Sequence, residues 1–303
     1  MNLPDSFLTT IRNAFKEDAE PYLTALPSLI EEACQRWELT EVQPVGNLSY
    51  NFVAFAKCPS TSLRSAQDGV VLKIGVPRDE LTSEINALKL YEGQGAVKLL
   101  EDDEEKGMFL LERLQPRRML SELEDDIRAT EIAAQAMLQI RRPASERGKF
   151  ILLKDWFEGF KKLRARFNSG TGPMPREWVE RAEGFATDFF AEGRPDVLMH
   201  GDFHHYNILE SERGWLIIDP KGVIGPAEYE VGPLLINPWG RPLSRISPEV
   251  QMKKRIDILA ERLSVERERI RNWGIAHAVL SAWWSLEDGE DWEYTIRCAE
   301  LMK

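Results

Sequence analysis

The spacing of hydrophobic residues changes several times along the chain. The first forty residues have apolar positions at helical spacing, interrupted by Pro21 and Pro27. From Val42 to Ile74, short runs rich in β-branched residues alternate with turn-forming residues, which is typical of antiparallel strands and hairpins. Helical spacing returns over residues 81–94. The pattern therefore predicts a small β-rich region with one helix, preceded by a helical extension.

Two more strand-like runs follow, at residues 97–100 and 108–111, with a charged hairpin between them. Beyond Leu114 most of the chain has helical spacing, and short strands are expected only at 207–209 and 215–218. The predicted helices cover residues 120–141, 155–167, 176–192 and 247–302. This order predicts an α+β protein with two lobes. The first lobe would be residues 1–114, including the helical extension 1–40, and the second residues 115–303.

Composition and charge limit what the protein binds. The chain has 303 residues, of which 43% are hydrophobic, so it can bury a sizeable core. Its 39 Lys and Arg residues stand against 50 Asp and Glu residues, for a formal net charge of −11. Such a chain repels nucleic-acid backbones and anionic lipid, so neither is an expected partner. A cationic small molecule is a more natural one.

Features of secreted or membrane proteins are missing from the sequence. Cys34, Cys58 and Cys298 are far apart and odd in number, so neither a disulfide framework nor a Cys-based zinc site is expected. The first twenty residues mix acidic and apolar residues, unlike a signal peptide. Since no apolar stretch is long enough to span a bilayer, we expect a cytoplasmic protein that is a monomer or a weak dimer.

The segment of residues 198–225 carries the chemistry: LMHGDFHHYNILESERGWLIIDPKGVIG. It contains Asp202, then Asn207 five residues later, a tight hairpin, and Asp219 at the end of an apolar strand. Phosphoryl transfer from a nucleotide needs a carboxylate to orient or deprotonate the attacking hydroxyl. It also needs hard oxygen ligands that hold Mg²⁺ on the phosphates. These residues supply both.

Histidines in the same segment allow a different interpretation. His200, His204 and His205 lie within six positions of one another, around Asp202, and metal-dependent phosphatases have similar Gly-Asp-x-His loops. Such enzymes draw ligands from several separate loops. The only other histidine, His277, lies in a helical apolar pattern typical of a core residue. A metallophosphatase-like hydrolase is therefore the weaker alternative.

The His200-Gly201-Asp202 motif, followed by Asn207 and Ile218-Asp219, resembles the catalytic and metal-binding loops of the aminoglycoside phosphotransferase superfamily. That superfamily has the protein-kinase-like fold. The sequence IDPKGVIGPAEYE, residues 218–230, narrows the resemblance to the aminoglycoside/hydroxyurea antibiotic resistance kinases, the streptomycin 6-phosphotransferase-like group. Similar segments extend it to roughly residues 42–289: VVLKIG (70–75), SEINAL (83–88), GAVKLLE (95–101), FLLERL (109–114) and AHAVLSAWWSLEDG (276–289).

The resemblance implies roles for the residues of the second lobe. Asp202 would be the catalytic Asp that faces the substrate hydroxyl, and Asn207 and Asp219 would ligate Mg²⁺. His200 would support the loop through hydrogen bonds. Glu230, where the group often has Asp, would be a further supporting carboxylate.

The resemblance also implies a nucleotide site in the first lobe. Lys73 would contact the α- and β-phosphates, with Glu84 as its ion-pair partner in preference to Glu80. A lysine inside an apolar strand is costly unless it is paired, although alone it would be taken for an edge-strand lysine that faces water. The remaining contacts would come from a phosphate-covering hairpin with Gly46 and Ser49, and from adenine-binding backbone groups of Glu112, Arg113 and Leu114.

Together these residues predict a magnesium-dependent kinase that uses ATP or GTP and phosphorylates a hydroxyl of a small molecule. The resemblance places streptomycin-like aminoglycosides first, with another sugar or metabolite alcohol as the alternative. A non-catalytic nucleotide-binding pseudokinase is a third option. The acidic run that contains Glu287 and Asp288 is typical of a solvated loop, but the resemblance implies C-terminal helices that line the substrate pocket, where these residues would attract a cationic substrate. Lys221 follows Asp219-Pro220 closely enough to be a minor phosphate-binding candidate.

Overall fold

A computed structural model describes residues 3–59, 69–144, 147–238 and 247–303. The chain divides into two compact units, Met1–Pro116 and Arg117–Lys303. The division falls two residues after the boundary expected from the sequence.

In its described residues the first unit has a five-stranded antiparallel sheet and three α-helices. Its sheet has the order β1-β2-β3-β5-β4, which places β3 in the centre. The strands are β1 Thr40–Pro44, β2 Phe52–Lys57, β3 Val70–Ile74, β4 Leu99–Asp103 and β5 Met108–Glu112, and the helices are α1 Asp5–Phe15, α2 Ala19–Arg36 and α3 Asp79–Tyr91. The predicted helical extension, strands and single following helix are confirmed. Pro27 lies inside α2 without ending it.

Successive side chains of β3 lie on opposite faces of the sheet. Val70, Leu72 and Ile74 are fully buried and belong to one hydrophobic cluster with residues of α1 and α2. Because successive side chains of a strand point to opposite faces, Lys73 lies on the other face of the sheet. The N-terminal helices thus cover one face of the sheet and leave the lysine on the opposite one.

The second unit is mostly helical. Its helices are α4 Asp126–Ile140, α5 Leu153–Phe157, α6 Gly159–Arg166, α7 Arg176–Ala191, α8 Val231–Leu235, α9 Pro248–Leu263, α10 Arg267–Asp288 and α11 Glu293–Leu301. The region expected to be helical over 247–302 is three helices, and the helix expected over 155–167 is two short ones. Helix α10 contacts α6, α7, α8, α9 and α11, and buries Trp273 and Trp283.

Two small sheets accompany these helices, in the orders β11-β10-β6 and β7-β9-β12-β8. Their strands are β6 Pro116–Met119, β7 Arg142–Pro143, β8 Ile151–Leu152, β9 Asp196–Met199, β10 Ile208–Ser211, β11 Gly214–Ile217 and β12 Val223–Pro226. The sequence predicted β10 and β11, which pair antiparallel. It did not predict the others, which have two to four residues each.

Pairing of β9 with β12 positions the loops of interest. Met199 lies opposite Val223 in this antiparallel pair. The residues that follow β9 and those that precede β12 therefore meet at one end of the sheet. In the described part of the chain, no helix is both long and apolar enough to cross a membrane. The three cysteines are free thiols.

Candidate active site

Lys73 and Glu84 form a buried ion pair in the first unit. Lys73 Nζ lies 2.7 Å from Oε1 and 2.9 Å from Oε2 of Glu84, and the two side chains are 4% and 8% exposed. The Phe109 ring lies 5.7 Å from the same nitrogen, within reach of a cation–π contact. The position of Lys73 on the central strand excludes the alternative of a water-facing lysine at the edge. Glu80 is exposed, while Glu84 faces inward from α3.

The loop between β1 and β2 contains Gly46 and Ser49. Both are exposed, and a turn occupies residues 46–47. A Cβ on Gly46 would meet no atom within 4 Å, so packing does not require glycine there. Leu48 is buried and anchors the loop to the hydrophobic cluster of the N-terminal helices. The loop therefore projects polar and backbone groups while one apolar side chain holds its base.

Glu112, Arg113 and Leu114 end β5 and follow it. The Glu112 amide donates to the Lys98 carbonyl at 3.0 Å, and the Lys98 amide donates to Glu112 Oε1 at 2.8 Å. Glu112 thus holds the entry to β4, and its amide is not available to a base. The guanidinium of Arg113 lies 4.4 Å from the centre of the Phe55 ring, and Leu114 is buried.

In the second unit, His200 and Gly201 follow β9 and are held by Glu230. The carboxylate accepts hydrogen bonds from the His200 amide at 3.0 Å and the Gly201 amide at 2.8 Å. Burial raises the pKa of Glu230 to about 7, although both amides and Arg141 lower it. Gly201 has a positive φ of 87°, and a Cβ there would lie 2.4 Å from Val223 Cγ2. Only glycine fits this turn without displacing β12.

The tautomer of His200 follows from its partners. Nε2 lies 2.8 Å from the Ile218 carbonyl, which can only accept, so this nitrogen carries the proton. Nδ1 accepts from the Asp202 amide at 3.2 Å. Burial lowers the pKa of His200 to about 4, and the ring is neutral at physiological pH. His200 therefore ties the loop after β9 to the end of β11, and its ring nitrogens are both committed to that task.

Asp202 presents its carboxylate to solvent beside His204. Its side chain is 43% exposed, and Oδ1 lies 3.5 Å from His204 Nε2. Burial of the loop acts to raise the pKa of Asp202, but His204, then His200 and Lys221, outweigh it and hold that pKa well below its usual range. The carboxylate is accordingly ionised at neutral pH. The sequence singled out His204 only as a metal ligand, and its contact with Asp202 required the structure.

Asn207 is fixed by the same loop. Its Nδ2 donates to the Asp202 carbonyl at 3.1 Å, and its own main-chain carbonyl accepts from the Ile218 amide at 2.9 Å. Because the carbonyl of Asp202 can only accept, the side-chain amide must present its nitrogen there. The side-chain oxygen, Oδ1, is then the atom that Asn207 can offer to a cation.

Asp219 and Lys221 lie directly after β11. Asp219 is exposed and adopts a left-handed φ of 55°, a conformation that Asp tolerates better than most residues. The Lys221 amide donates to the His200 carbonyl at 2.7 Å, which fixes this segment against the loop after β9. A carboxylate from Asp219 and an amide oxygen from Asn207 are both hard ligands, the kind that suits Mg²⁺.

Three other residues named from the sequence lie on α10. Glu287 and Asp288 are exposed in the last turn of α10. His277 is buried on the same helix, as expected of a core residue, and Tyr229 Oη lies 2.9 Å from its Nδ1. The sequence did not predict this buried Tyr–His pair, whose tyrosine directly precedes Glu230 in the chain. Among the described residues, no group of three or more His, Cys, Asp or Glu side chains could hold a metal ion.

Comparisons with known proteins agree on one family and one fold. Residues 40–289 match the sequence model of the aminoglycoside/hydroxyurea antibiotic resistance kinases. The chain is 29% identical to the streptomycin 6-kinase of Streptomyces glaucescens over 293 residues, which are 95% of this chain and 92% of that protein. It is 30% identical to the hydroxyurea phosphotransferase of Kitasatospora aureofaciens over 276 residues, 89% of this chain and 76% of that protein.

A solved structure is similar along most of the chain. It is a thermostable mutant of aminoglycoside phosphotransferase APH(4)-Ia in ternary complex with ADP and hygromycin B. The TM-score is 0.60 at 14% identity, covering 90% of this chain and 95% of that one. At this identity the likeness concerns the fold alone, and it confirms the predicted α+β, kinase-like architecture.

Proposed function

The chain belongs to the aminoglycoside/hydroxyurea antibiotic resistance kinase family, and we propose that it transfers the γ-phosphoryl group of ATP, with Mg²⁺, to a hydroxyl of a streptomycin-like aminoglycoside. Relatives named streptomycin 6-kinase and hydroxyurea phosphotransferase support the coarser description, a phosphotransferase that acts on small molecules.

The observation that carries the proposal is the ionised, accessible carboxylate of Asp202 on a loop whose backbone is fixed. Glu230, His200 and Asn207 hold that backbone from three sides. Phosphoryl transfer asks little covalent chemistry of a protein and depends on positioning and charge. A carboxylate with a depressed pKa is a weak base in the ground state. Asp202 would therefore orient the acceptor hydroxyl first and take its proton late in the transfer.

Asn207 and Asp219 are the residues that would hold Mg²⁺. Two oxygen ligands fit an ion that usually takes one or two carboxylates and completes its shell with water and substrate phosphates. When bound, the ion would neutralise charge on the phosphate oxygens. A metallophosphatase needs more protein ligands than this. The described residues offer no cluster of three, which favours the kinase.

The first unit would bind the nucleotide. Lys73, held by both oxygens of Glu84, would contact the α- and β-phosphates. Gly46 and Ser49 would cover the phosphates. Backbone groups of the Glu112–Leu114 segment, other than the Glu112 amide that donates to Lys98, would bind the adenine edge. The ternary complex with ADP of the similar phosphotransferase supports ATP as the donor, and GTP is the alternative.

The acceptor is proposed from relatives and charge. Streptomycin-like aminoglycosides are cationic, and an acidic chain of net charge −11 attracts them. Glu287 and Asp288, exposed at the end of α10, would add negative charge for such a substrate. Hydroxyurea, another sugar or a metabolite alcohol is the alternative acceptor, since the same loops would serve each of them.

The test is nucleoside-diphosphate release by the purified protein with Mg²⁺, ATP or GTP, and a panel that contains streptomycin, other aminoglycosides, hydroxyurea and sugars. We expect release that depends on one acceptor class. Asp202→Asn should lower kcat by about 10²- to 10⁴-fold while Mg-ATP still raises the melting temperature. Asp188→Asn, an exposed aspartate on α7, is the matched control and should match the wild type.

Three results would contradict the proposal at different points. A loss of less than about tenfold in Asp202→Asn would remove the role of Asp202. Nucleotide binding without turnover of any acceptor would favour a non-catalytic nucleotide-binding protein. No thermal shift with millimolar Mg-nucleotide would contradict the kinase itself.

A further inference from the structure

The N-terminal region that contains α1 and α2 is hydrogen-bonded to β3, which carries Lys73, and to the residue that precedes α3, which carries Glu84. Both helices pack on the face of the sheet opposite Lys73, with Phe7, Ile11 and Leu26 fully buried against the strands. This packing buries the apolar face of the sheet. Two polar contacts, one to β3 and one to the start of α3, also position the two elements that carry the ion pair.

The first contact is made by the hydroxyl of Tyr22 on α2. It donates to the Ile74 carbonyl at 2.9 Å and accepts from the Phe52 amide at 3.3 Å. Ile74 follows Lys73, and Phe52 is the first residue of β2 after the loop that contains Gly46 and Ser49. Phe52 and Ile74 are also register partners in the sheet. One hydroxyl thus joins the ends of the two strands that lead to the proposed phosphate-binding residues.

The environment keeps this hydroxyl a donor. Tyr22 is 5% exposed, and burial raises the pKa of its phenol well above the usual value. The phenol is therefore protonated at neutral pH. The Phe52 amide and the Ile74 carbonyl are joined by it within the buried interior, where an unpaired backbone group is costly.

The second contact is made by Arg78, the residue that precedes α3. Its Nε lies 2.7 Å from Asp18 Oδ2, and its Nη2 donates to the Phe15 carbonyl at 3.0 Å. The guanidinium also lies 5.3 Å from the centre of the Phe15 ring. Phe15 is the last residue of α1, and Asp18 lies between α1 and α2. Since α3 carries Glu84, this contact fixes the helix from which the carboxylate reaches Lys73.

We propose that Tyr22 is a positioning residue for the phosphate-binding lysine: its hydroxyl fixes the end of β3, and Arg78 fixes the start of α3, so that Lys73 and Glu84 meet in a binding-competent geometry. The proposal rests on the nucleotide role of Lys73 given above. The α1–α2 pair therefore holds the residues of the ion pair in place through contacts to the elements that carry them. It removes the freedom of the lysine strand before the nucleotide arrives.

The test compares Tyr22→Phe with two controls in steady-state kinetics and thermal unfolding of the full chain. Tyr22→Phe keeps the ring and removes the hydroxyl. Tyr294→Phe removes a hydroxyl that also donates to a main-chain carbonyl, that of Ile236 at 3.3 Å, in the second unit. Ile11→Val loses one buried methyl group from the same hydrophobic cluster and leaves the hydroxyl of Tyr22 in place.

We expect Tyr22→Phe to raise KM for ATP by about fivefold or more, since small misplacements of binding groups are costly, with a smaller change in kcat. Tyr294→Phe and Ile11→Val should leave KM for ATP unchanged, even where Ile11→Val lowers the melting temperature. Arg78→Gln should raise KM in the same direction by less, because its contacts are half-exposed. It also supplies a test if Tyr22→Phe fails to fold.

An unchanged KM for ATP in both Tyr22→Phe and Arg78→Gln would overturn the inference. So would an equal rise in Ile11→Val, which would show that packing alone sets the site. A wild-type protein with neither ATP turnover nor a Mg-ATP thermal shift would instead contradict the proposed function, so the two failures are distinguishable.

Discussion

The side-chain nitrogen of Asn207 donates a 3.1 Å hydrogen bond to the main-chain carbonyl of Asp202. One amide thus has two separable ends. Its nitrogen fixes the loop that presents the Asp202 carboxylate, and its oxygen is the atom that would ligate Mg²⁺ in the proposed function. This arrangement makes the two tasks of Asn207 open to separate tests.

Replacing Asn207 by Asp keeps an oxygen ligand and loses the donor, whereas Ala loses both. We expect Asn207→Asp to lower kcat by about 10²-fold, because the loop is no longer held, with little rise in the Mg²⁺ concentration for half-maximal rate. Asn207→Ala should lower kcat similarly and raise that concentration by about 10- to 100-fold. Steady-state rates over a Mg²⁺ titration of the wild type and both variants measure the two effects. Identical Mg²⁺ dependence in wild type and Asn207→Ala would contradict the ligand role.

The buried ion pair of Lys73 and Glu84 predicts a large coupling energy. Lys73→Met leaves the Glu84 carboxylate buried beside an apolar side chain, and we expect a loss of about 3–5 kcal/mol in the free energy of unfolding. The double variant Lys73→Met, Glu84→Leu should regain most of it, since an apolar pair of similar volume replaces buried charges at little cost. Urea unfolding of the wild type, the single variants Lys73→Met and Glu84→Leu, and the double variant gives the coupling energy of the pair.

The same variants separate stability from binding. The double variant should fold, yet its melting temperature should not respond to Mg-ATP. A preserved response would show that the ion pair is structural and does not contact phosphates.

Burial of His277 predicts a stability loss in acid. Its folded-state pKa is about 3 against 6.5 for an ordinary histidine, and burial is the largest cause. Below about pH 6.5 the unfolded chain binds a proton that the folded protein does not. The contribution of this group to stability is therefore present above pH 6.5 and is lost as the pH falls toward 3, at up to about 1.4 kcal/mol per pH unit.

His277→Gln should be less stable at pH 7 but lose stability less steeply between pH 6.5 and 4. His200 acts in the same direction as His277. Glu230, whose pKa is raised to about 7, acts in the opposite one, losing its contribution as the pH rises toward 7. His200 and Glu230 are present in both the wild type and His277→Gln. The difference between their curves of unfolding free energy against pH therefore isolates His277. Urea unfolding at pH 7, 6, 5 and 4 measures it. Parallel curves would contradict the assigned pKa.

Much of the fold could be predicted because its signals are local. Strand and helix periods, and the turn residues between them, located the elements of the first unit to within a few residues. The preference for Glu84 over Glu80 as the partner of Lys73 came from the family resemblance of residues 83–88. By contrast, strands such as β7 and β8, with two residues each, have no period to detect. They exist because neighbouring strands supply their hydrogen bonds.

Candidate chemistry could be predicted because functional groups are close together in the chain. Asp202, Asn207 and Asp219 lie within eighteen positions, and their order carried the family resemblance. The contacts of His204 and Tyr22 could not be predicted in this way. His204 looked like a metal ligand, while its Nε2 lies 3.5 Å from the Asp202 carboxylate. Tyr22 is 52 residues from Ile74, the carbonyl to which it donates.

The sequence by itself determined the class of fold, the family, and which residue types are available for phosphoryl transfer, because periodicity, turn chemistry and motif spacing are properties of neighbours in the chain. Only the tertiary structure decided which groups are paired, which are exposed and which are kept neutral. Burial and long-range contacts set those properties, as for the amides of His200 and Gly201 that meet Glu230 about thirty residues away. The free energy of a buried charge or hydrogen bond depends on what surrounds it, and the chain acquires those surroundings only when it folds.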